Sequence, residues 1–163
     1  MIQLSLKIRE KVFALILFAI ILGCTHVRAQ IGEMKFPDGK LQHVVLANEI
    51  KWQPCPPNLP GGCQMAVLEG NPKANDLFTV RFKVSGEFVM PPHTHPKDER
   101  VTILQGKAYV AFGKEGNKDD AREFGPGDYY VNAQNAVHSV WADYNTILQI
   151  TGIGPWEAHF VEE

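Results

Sequence analysis

The sequence has no long hydrophobic segment, few cysteines and no large excess of charge of either sign. Its longest apolar run, Val12–Leu22, has eleven residues, which is short for a membrane-spanning helix of about 20 residues. The formal net charge is −2, and a nucleic-acid-binding protein usually carries a basic face instead. The sequence therefore argues against a nucleic-acid partner. Its 163 residues are enough for one compact domain but too few for two ordinary ones.

The short apolar run predicts a signal peptide over residues 1–29. Three basic residues precede it: Lys7, Arg9 and Lys11. Val27-Arg28-Ala29 has the spacing of an ordinary cleavage site before Gln30. Alternatively, Ile21-Leu22-Gly23-Cys24 resembles a bacterial lipobox, in which Cys24 would be lipidated. Either route predicts export, to the periplasm as a soluble protein or to a membrane as a lipoprotein anchored at Cys24.

Two further cysteines lie in an irregular segment between the signal peptide and the strand-rich part. We assign residues 30–64 to an N-terminal extension. Within it, Cys55 and Cys63 bracket a loop rich in proline and glycine. In an oxidising compartment this pair is expected to form a disulfide that closes the loop.

Residues 65–163 have no helical period and no internal repeat. Leu77–Val84 alternates apolar and polar residues, which is typical of a strand with one buried face. Short strands recur about every ten residues between turn signals, which indicates an all-β sandwich or barrel. The predicted strands are Met65–Leu68, Leu77–Val84, Phe88–Met90, Arg100–Leu104, Lys107–Phe112, Arg122–Phe124, Tyr129–Val131, Ala136–Trp141, Thr146–Ile153 and Glu157–Val161.

Four residues form a candidate metal-binding set: His93, His95, Glu99 and His138. Imidazole and carboxylate ligands suit a divalent transition metal such as Fe, Mn, Zn, Ni or Cu, and their number leaves coordination positions open. Residues two apart in a strand point to the same face. A regular strand through this stretch would therefore place His93, His95, Glu99, Val101 and Ile103 on one inner face.

These residues also carry a resemblance to a known family. Gly86, six residues, His93-Thr94-His95, three residues, Glu99, six residues and Gly106 resemble the first motif of the cupin superfamily. Gly127-Asp128 through His138 resembles the second. Trp52 to Glu163 is similar to small single-domain bacterial cupins, including the ChrR-like cupin domain. The resemblance implies a double-stranded β-helix, or jelly-roll barrel, with these four residues as metal ligands. Small cupins often dimerise through their sheets, so the resemblance also suggests a homodimer.

The sequence leaves the function open among three classes. The first is an enzyme with a metal-dependent dioxygenase-like or isomerase activity on a small organic substrate. The second is a non-catalytic metal or small-ligand binding or sensor domain, and the third is a vestigial barrel, against which the complete ligand set argues. The inner residues Val101, Ile103 and Val140 would suit a largely apolar ligand. The aromatic residues Tyr109, Tyr130, Trp141 and Trp156 are interpreted as packing in the core or at the barrel mouth.

Overall fold

The structure is a computed structural model, and it describes residue 36 and residues 38–84 and 88–161. The predicted signal peptide, the candidate lipidation site Cys24 and the motif residue Gly86 lie outside the described residues. In the part of the chain that is described, no helix is long and apolar enough to cross a membrane.

The described residues form eleven strands and one turn of 3₁₀ helix, Ala47–Glu49. The strands are β1 (Gln53–Pro54), β2 (Cys63–Gly70), β3 (Leu77–Val84), β4 (Phe88–Thr94), β5 (Glu99–Gln105), β6 (Ala108–Phe112), β7 (Arg122–Phe124), β8 (Tyr129–Asn132), β9 (His138–Ala142), β10 (Ile147–Ile153) and β11 (His159–Phe160).

The strands build two antiparallel sheets. The six-stranded sheet has the order β1-β2-β3-β10-β5-β8, and the five-stranded sheet has the order β11-β4-β9-β6-β7. Neighbours in each sheet are often far apart in sequence, as in β3 with β10 and β4 with β9. Such crossovers between two facing sheets are those of a jelly roll. The predicted all-β, double-stranded β-helix fold is confirmed.

The core lies between the sheets and follows the predicted period of two. In β3 every second residue is buried, namely Phe78, Val80, Phe82 and Val84. Val101 and Ile103 of β5 and Val140 of β9 join the same core. Burial of alternating side chains is what fixes the register of each strand, because a slip of one residue would turn the apolar set outward.

The expected regular strand from His93 to Ile103 is wrong. Strand β4 ends at Thr94 in the five-stranded sheet, and β5 begins at Glu99 in the six-stranded sheet. The chain crosses between the sheets in residues 95–98, where Pro96 has no N–H to donate to a ladder. Each sheet still turns its predicted residues inward, so His93, His95, Glu99, Val101 and Ile103 are all buried.

Strand β4 is longer than the predicted Phe88–Met90 because it continues through Pro91 and Pro92. Its pairing with β9 shifts in register between Met90 and His93. Prolines are tolerated at such irregular positions, where a ladder hydrogen bond is already missing. The register shift thus falls at the two prolines, directly before the residue that pairs with His138.

The predicted disulfide between Cys55 and Cys63 is present, with the two Cα atoms 5.6 Å apart. The backbone N–H of Cys55 also donates to the carbonyl of Cys63. The closed loop packs on the barrel through Cys55, Leu59 and the buried Cys63. It is thus a fixed part of the barrel wall.

Candidate metal centre

Three histidines meet on the inner face of the five-stranded sheet. His93 of β4 and His138 of β9 are direct cross-strand partners, and His95 follows the last residue of β4. One ring nitrogen from each lies within 4.8 Å of the others. All three side chains are at most 2% exposed. Antiparallel pairing thus brings His138 beside a histidine 45 positions earlier in the sequence.

Each imidazole is oriented by a backbone carbonyl. The Nδ1 atom of His93 lies 2.8 Å from the carbonyl oxygen of Pro91, and that of His138 lies 3.1 Å from the carbonyl of Ala136. The Nδ1 atom of His95 lies 2.7 Å from the carbonyl of Glu157. A carbonyl can only accept, so each Nδ1 donates to it and each Nε2 is the ring nitrogen left for a ligand. This is the outer arrangement that orients histidines toward a metal.

Glu99 faces this cluster from the six-stranded sheet. Its Oε1 lies 3.4 Å from His95 Nε2, and its Oε2 lies 3.5 Å from His138 Nε2. At these distances neither Nε2 atom has a well-formed hydrogen bond, and both are buried. Two buried Nε2 atoms thus face a buried carboxylate without a hydrogen bond, an arrangement that a cation between them would stabilise. The donors present fit a divalent transition metal.

The buried charges shift the pKa values of the cluster in different directions. Burial, followed by the nearby His138, lowers the pKa of His93 to about 4. Burial also opposes the charged form of His95, but the Glu99 carboxylate outweighs it and raises the pKa. For Glu99, burial is outweighed by His138 and His95, which hold its pKa well below the usual range. At neutral pH the site therefore contains an ionised carboxylate and an unprotonated His93.

The four residues of the cluster line a small, largely apolar cavity of about 50 Å³. Its wall includes the predicted Val101 and Val140, whereas Ile103 is buried elsewhere in the core. Tyr130 also lines it, and burial followed by the charge of Glu99 raises the pKa of its phenol well above the usual value. Among the described lining residues, Tyr130 is the one titratable side chain besides the four candidate ligands.

Two residues that the sequence analysis did not assign to the site hold Glu99. Asn132 of β8 is its cross-strand partner and donates from Nδ2 to Oε2 at 2.9 Å. Trp156, interpreted from the sequence as a packing residue, donates from Nε1 to Oε1 at 3.1 Å. Its ring also stacks on His95, with centroids 5.3 Å apart and planes inclined by 16°. Asn132 follows directly after the predicted strand Tyr129–Val131, and this position is the one weak signal that the sequence offers.

A jelly roll with three inward histidines and a carboxylate on facing sheets is the architecture of a cupin. The family model of the ChrR cupin-like domain matches residues 40–157. The chain therefore belongs to the ChrR cupin-like family. No curated protein sequence matches the chain.

Solved structures with a similar fold come from proteins of different activities. The polyketide cyclase RemF from Streptomyces resistomycificus is 18% identical, with a TM-score of 0.61, and the match covers 76% of this chain and 87% of RemF. An acetylacetone dioxygenase from Acinetobacter johnsonii is 16% identical, with a TM-score of 0.59 and coverages of 81% and 85%. KdgF from Halomonas sp. is 22% identical, with a TM-score of 0.51 and coverages of 67% and 91%. At these identities the likeness concerns the fold alone.

Proposed function

We propose that the chain binds one divalent transition metal through His93, His95, His138 and Glu99. The observation that carries this proposal is the common orientation of the three imidazoles, each with Nδ1 on a carbonyl and Nε2 turned inward. The carboxylate opposite them is buried, and His138 and His95 keep its pKa low enough for it to be ionised at neutral pH. A metal cation would neutralise this carboxylate and give the buried Nε2 atoms of His95 and His138 the partner they lack.

We propose that the metal serves a dioxygenase-like oxidoreductase activity on a small organic substrate. A bound metal of this kind supplies Lewis acidity and, if it is redox-active, a site for O₂. The chain's own residues would exclude bulk water through the apolar wall and hold the ligands through Asn132 and Trp156. A fold similar to that of the cyclase and the dioxygenase does not by itself give this chain their activities, because proteins with one fold catalyse unrelated reactions.

A second candidate function is a non-catalytic metal or small-ligand binding domain. The small number of titratable groups around the cavity favours this second function. Among the described lining residues, Tyr130 is the one titratable group besides the candidate ligands. Its phenol is held in the protonated form. An enzyme that needs a general base near neutral pH would have to recruit one from outside this cavity.

Metal analysis of the purified protein tests the binding proposal. We expect about one transition metal per chain in the wild type and loss of most of it in His93→Ala, since a ligand is removed. His43→Ala is the matched control, because His43 is exposed and hydrogen-bonds to the carbonyl of Leu68 instead. Full metal stoichiometry in His93→Ala would refute the ligand assignment.

An oxygen-uptake screen separates the two candidate functions. Substrate-dependent O₂ consumption by the Fe- or Cu-loaded protein, absent from His93→Ala, supports the oxidoreductase. Stoichiometric metal without turnover across a broad panel of small organic compounds supports the binding domain. The assay uses the metal-loaded full chain, so that a missing metal is not mistaken for a missing activity.

We further propose that the protein is exported, as the basic and apolar N-terminal segment suggests. The Cys55–Cys63 disulfide supports this proposal, because such bonds persist in oxidising compartments. Mass spectrometry of the mature N-terminus in its native host distinguishes the two routes. A chain that starts at Gln30 indicates a soluble protein, a lipidated Cys24 indicates an anchored one, and an intact Met1 in the cytosol contradicts export.

A further inference from the structure

A second and larger cavity lies next to the metal cavity. We call it the vestibule, and its volume is about 500 Å³. Its apolar lining comes from the disulfide loop, from β2 and from the segment before β11, including Pro57, Met65 and Ala158. Its polar lining residues, such as Lys73 and His159, are exposed. A cavity with apolar walls and a few polar groups has the general character of a small-molecule site.

Leu59 and Trp156 line both the vestibule and the metal cavity. They therefore form the partition between the two spaces. The sizes on either side differ by about a factor of ten, from 50 to 500 Å³. A cavity that holds benzene measures about 150 Å³, and small-molecule sites measure about 300–1,000 Å³. The metal cavity is thus too small for an organic ring, whereas the vestibule is large enough.

We propose that the vestibule binds the organic substrate and that Leu59 controls its access to the metal. This inference rests on the metal-binding function proposed above. The ligand class is a small molecule with an apolar body and one oxygen-bearing end. The apolar walls accommodate the body, and a metal held by nitrogen and oxygen donors accepts the oxygen end.

The contacts of the two partition residues indicate which one moves. Trp156 is fixed by its bond to Glu99, by its stacking on His95, by the ring of Phe82 at 5.6 Å and by a backbone bond to Pro72. Leu59 is half-buried in a turn, where its N–H donates to the carbonyl of Pro56. Its side chain can change rotamer while the disulfide holds the loop. Of the two residues that separate the cavities, Leu59 is therefore the one whose side chain can move.

Two probes of different size test the proposal on the full chain loaded with Co(II). Azide is small enough to reach the metal cavity without displacing Leu59, whereas 4-nitrocatechol keeps its ring in the vestibule and must displace Leu59 to bring its catechol oxygens to the metal. Both are followed in stopped-flow experiments through their absorption changes at the metal. We expect Leu59→Ala to accelerate 4-nitrocatechol binding about tenfold, the low end of what apolar packing changes at a site produce. Azide binding should stay unchanged.

Leu59→Phe and Val67→Ala complete the design. Leu59→Phe keeps an apolar side chain in the turn and narrows the opening between the two cavities, so it should slow 4-nitrocatechol and leave azide unaffected. Val67→Ala shortens an exposed apolar side chain of β2 that lines neither cavity, and it should leave both association rates unchanged. Normal azide binding with wild-type 4-nitrocatechol rates in both Leu59 variants would overturn the access role and leave the metal site standing. Failure of the wild type to bind Co(II) would overturn both proposals.

Discussion

The five-stranded and six-stranded sheets hold their candidate ligands in different ways. In the five-stranded sheet, His93 and His138 are each oriented by the carbonyl two residues earlier, Pro91 and Ala136. In the six-stranded sheet, Glu99 is held by side chains 33 and 57 positions away, those of Asn132 and Trp156. The histidine geometry is therefore local to its strands, whereas the carboxylate geometry depends on the complete fold.

His95 combines the two modes because it lies where the chain leaves the five-stranded sheet. Its ring is oriented by the distant carbonyl of Glu157, and Trp156 stacks on the same ring. The segment that precedes β11 thus supports both His95 and Glu99. A metal bound by all four ligands would tie the two sheets together at this point.

The largest effect we expect is a loss of stability when the metal that would connect the two sheets is removed. A ligand that binds the folded state alone stabilises it by about 4 kcal/mol at 1,000 times its Kd. Removal of the metal with a chelator should lower the free energy of unfolding of the wild type by about this amount. Denaturant titration measures it, and His93→Ala should show no metal-dependent change. If the unfolding midpoint of the wild type changes with neither metal nor chelator, the proposal that a bound metal links the two sheets is wrong.

The disulfide provides a tie of another kind, because it closes a loop beside a single sheet. For a loop of about nine residues the chain-entropy model gives a stabilisation of about 2–3 kcal/mol. The double variant Cys55→Ser with Cys63→Ser should lose this amount in denaturant titrations. Its metal affinity should match the wild type, because neither cysteine lines the cavity that holds the candidate ligands. A large loss of metal affinity would show that the loop also positions the centre.

Much of the fold could be predicted from local pattern. The alternation in Leu77–Val84 gave β3 with its observed bounds and its buried face, because a half-buried strand must alternate. Gly106 shows why one motif glycine is needed. Its φ is +74°, and a Cβ atom there would lie 2.7 Å from the Cα of Thr146. Such positions leave a readable signal because a single residue type satisfies them.

The parts that could not be predicted depend on contacts between distant segments. Because alternate residues of a strand share a face, the sequence placed His95 and Glu99 on one inner face. The same alternation is expected whether the strand continues or the chain crosses to the facing sheet. The bond between Trp156 and Glu99 likewise leaves no periodic trace in the sequence. The candidate ligands could therefore be identified from the sequence, whereas the residues that hold Glu99, namely Asn132 and Trp156, could not.

Substitution of Asn132 tests whether the carboxylate depends on that distant support. Asn132→Ala removes the donor to Glu99 Oε2 at a position that is 2% exposed. Loss of such an outer partner weakens metal binding about 10–100-fold. Competition with a chromophoric chelator measures the Kd, and Asn75→Ala, at an exposed position, is the matched control. An unchanged Kd in Asn132→Ala would mean that Glu99 holds its position without it, and the contrast between the sheets would fail.

Trp156→Phe should give the smallest of these effects and the most specific one. It removes the N–H that donates to Glu99 Oε1 and keeps an aromatic ring that can pack on His95 and Phe82. The lost bond is longer than that of Asn132, at 3.1 against 2.9 Å, and Trp156 is only half-buried. We therefore expect about a tenfold rise in the metal Kd, the lower end for an outer partner. Trp141→Phe is the control, because Trp141 makes no bond to the cluster among the described residues. A Kd that rises equally in both variants would assign the effect to general packing, whereas a rise in Trp156→Phe alone would show that this N–H orients the carboxylate.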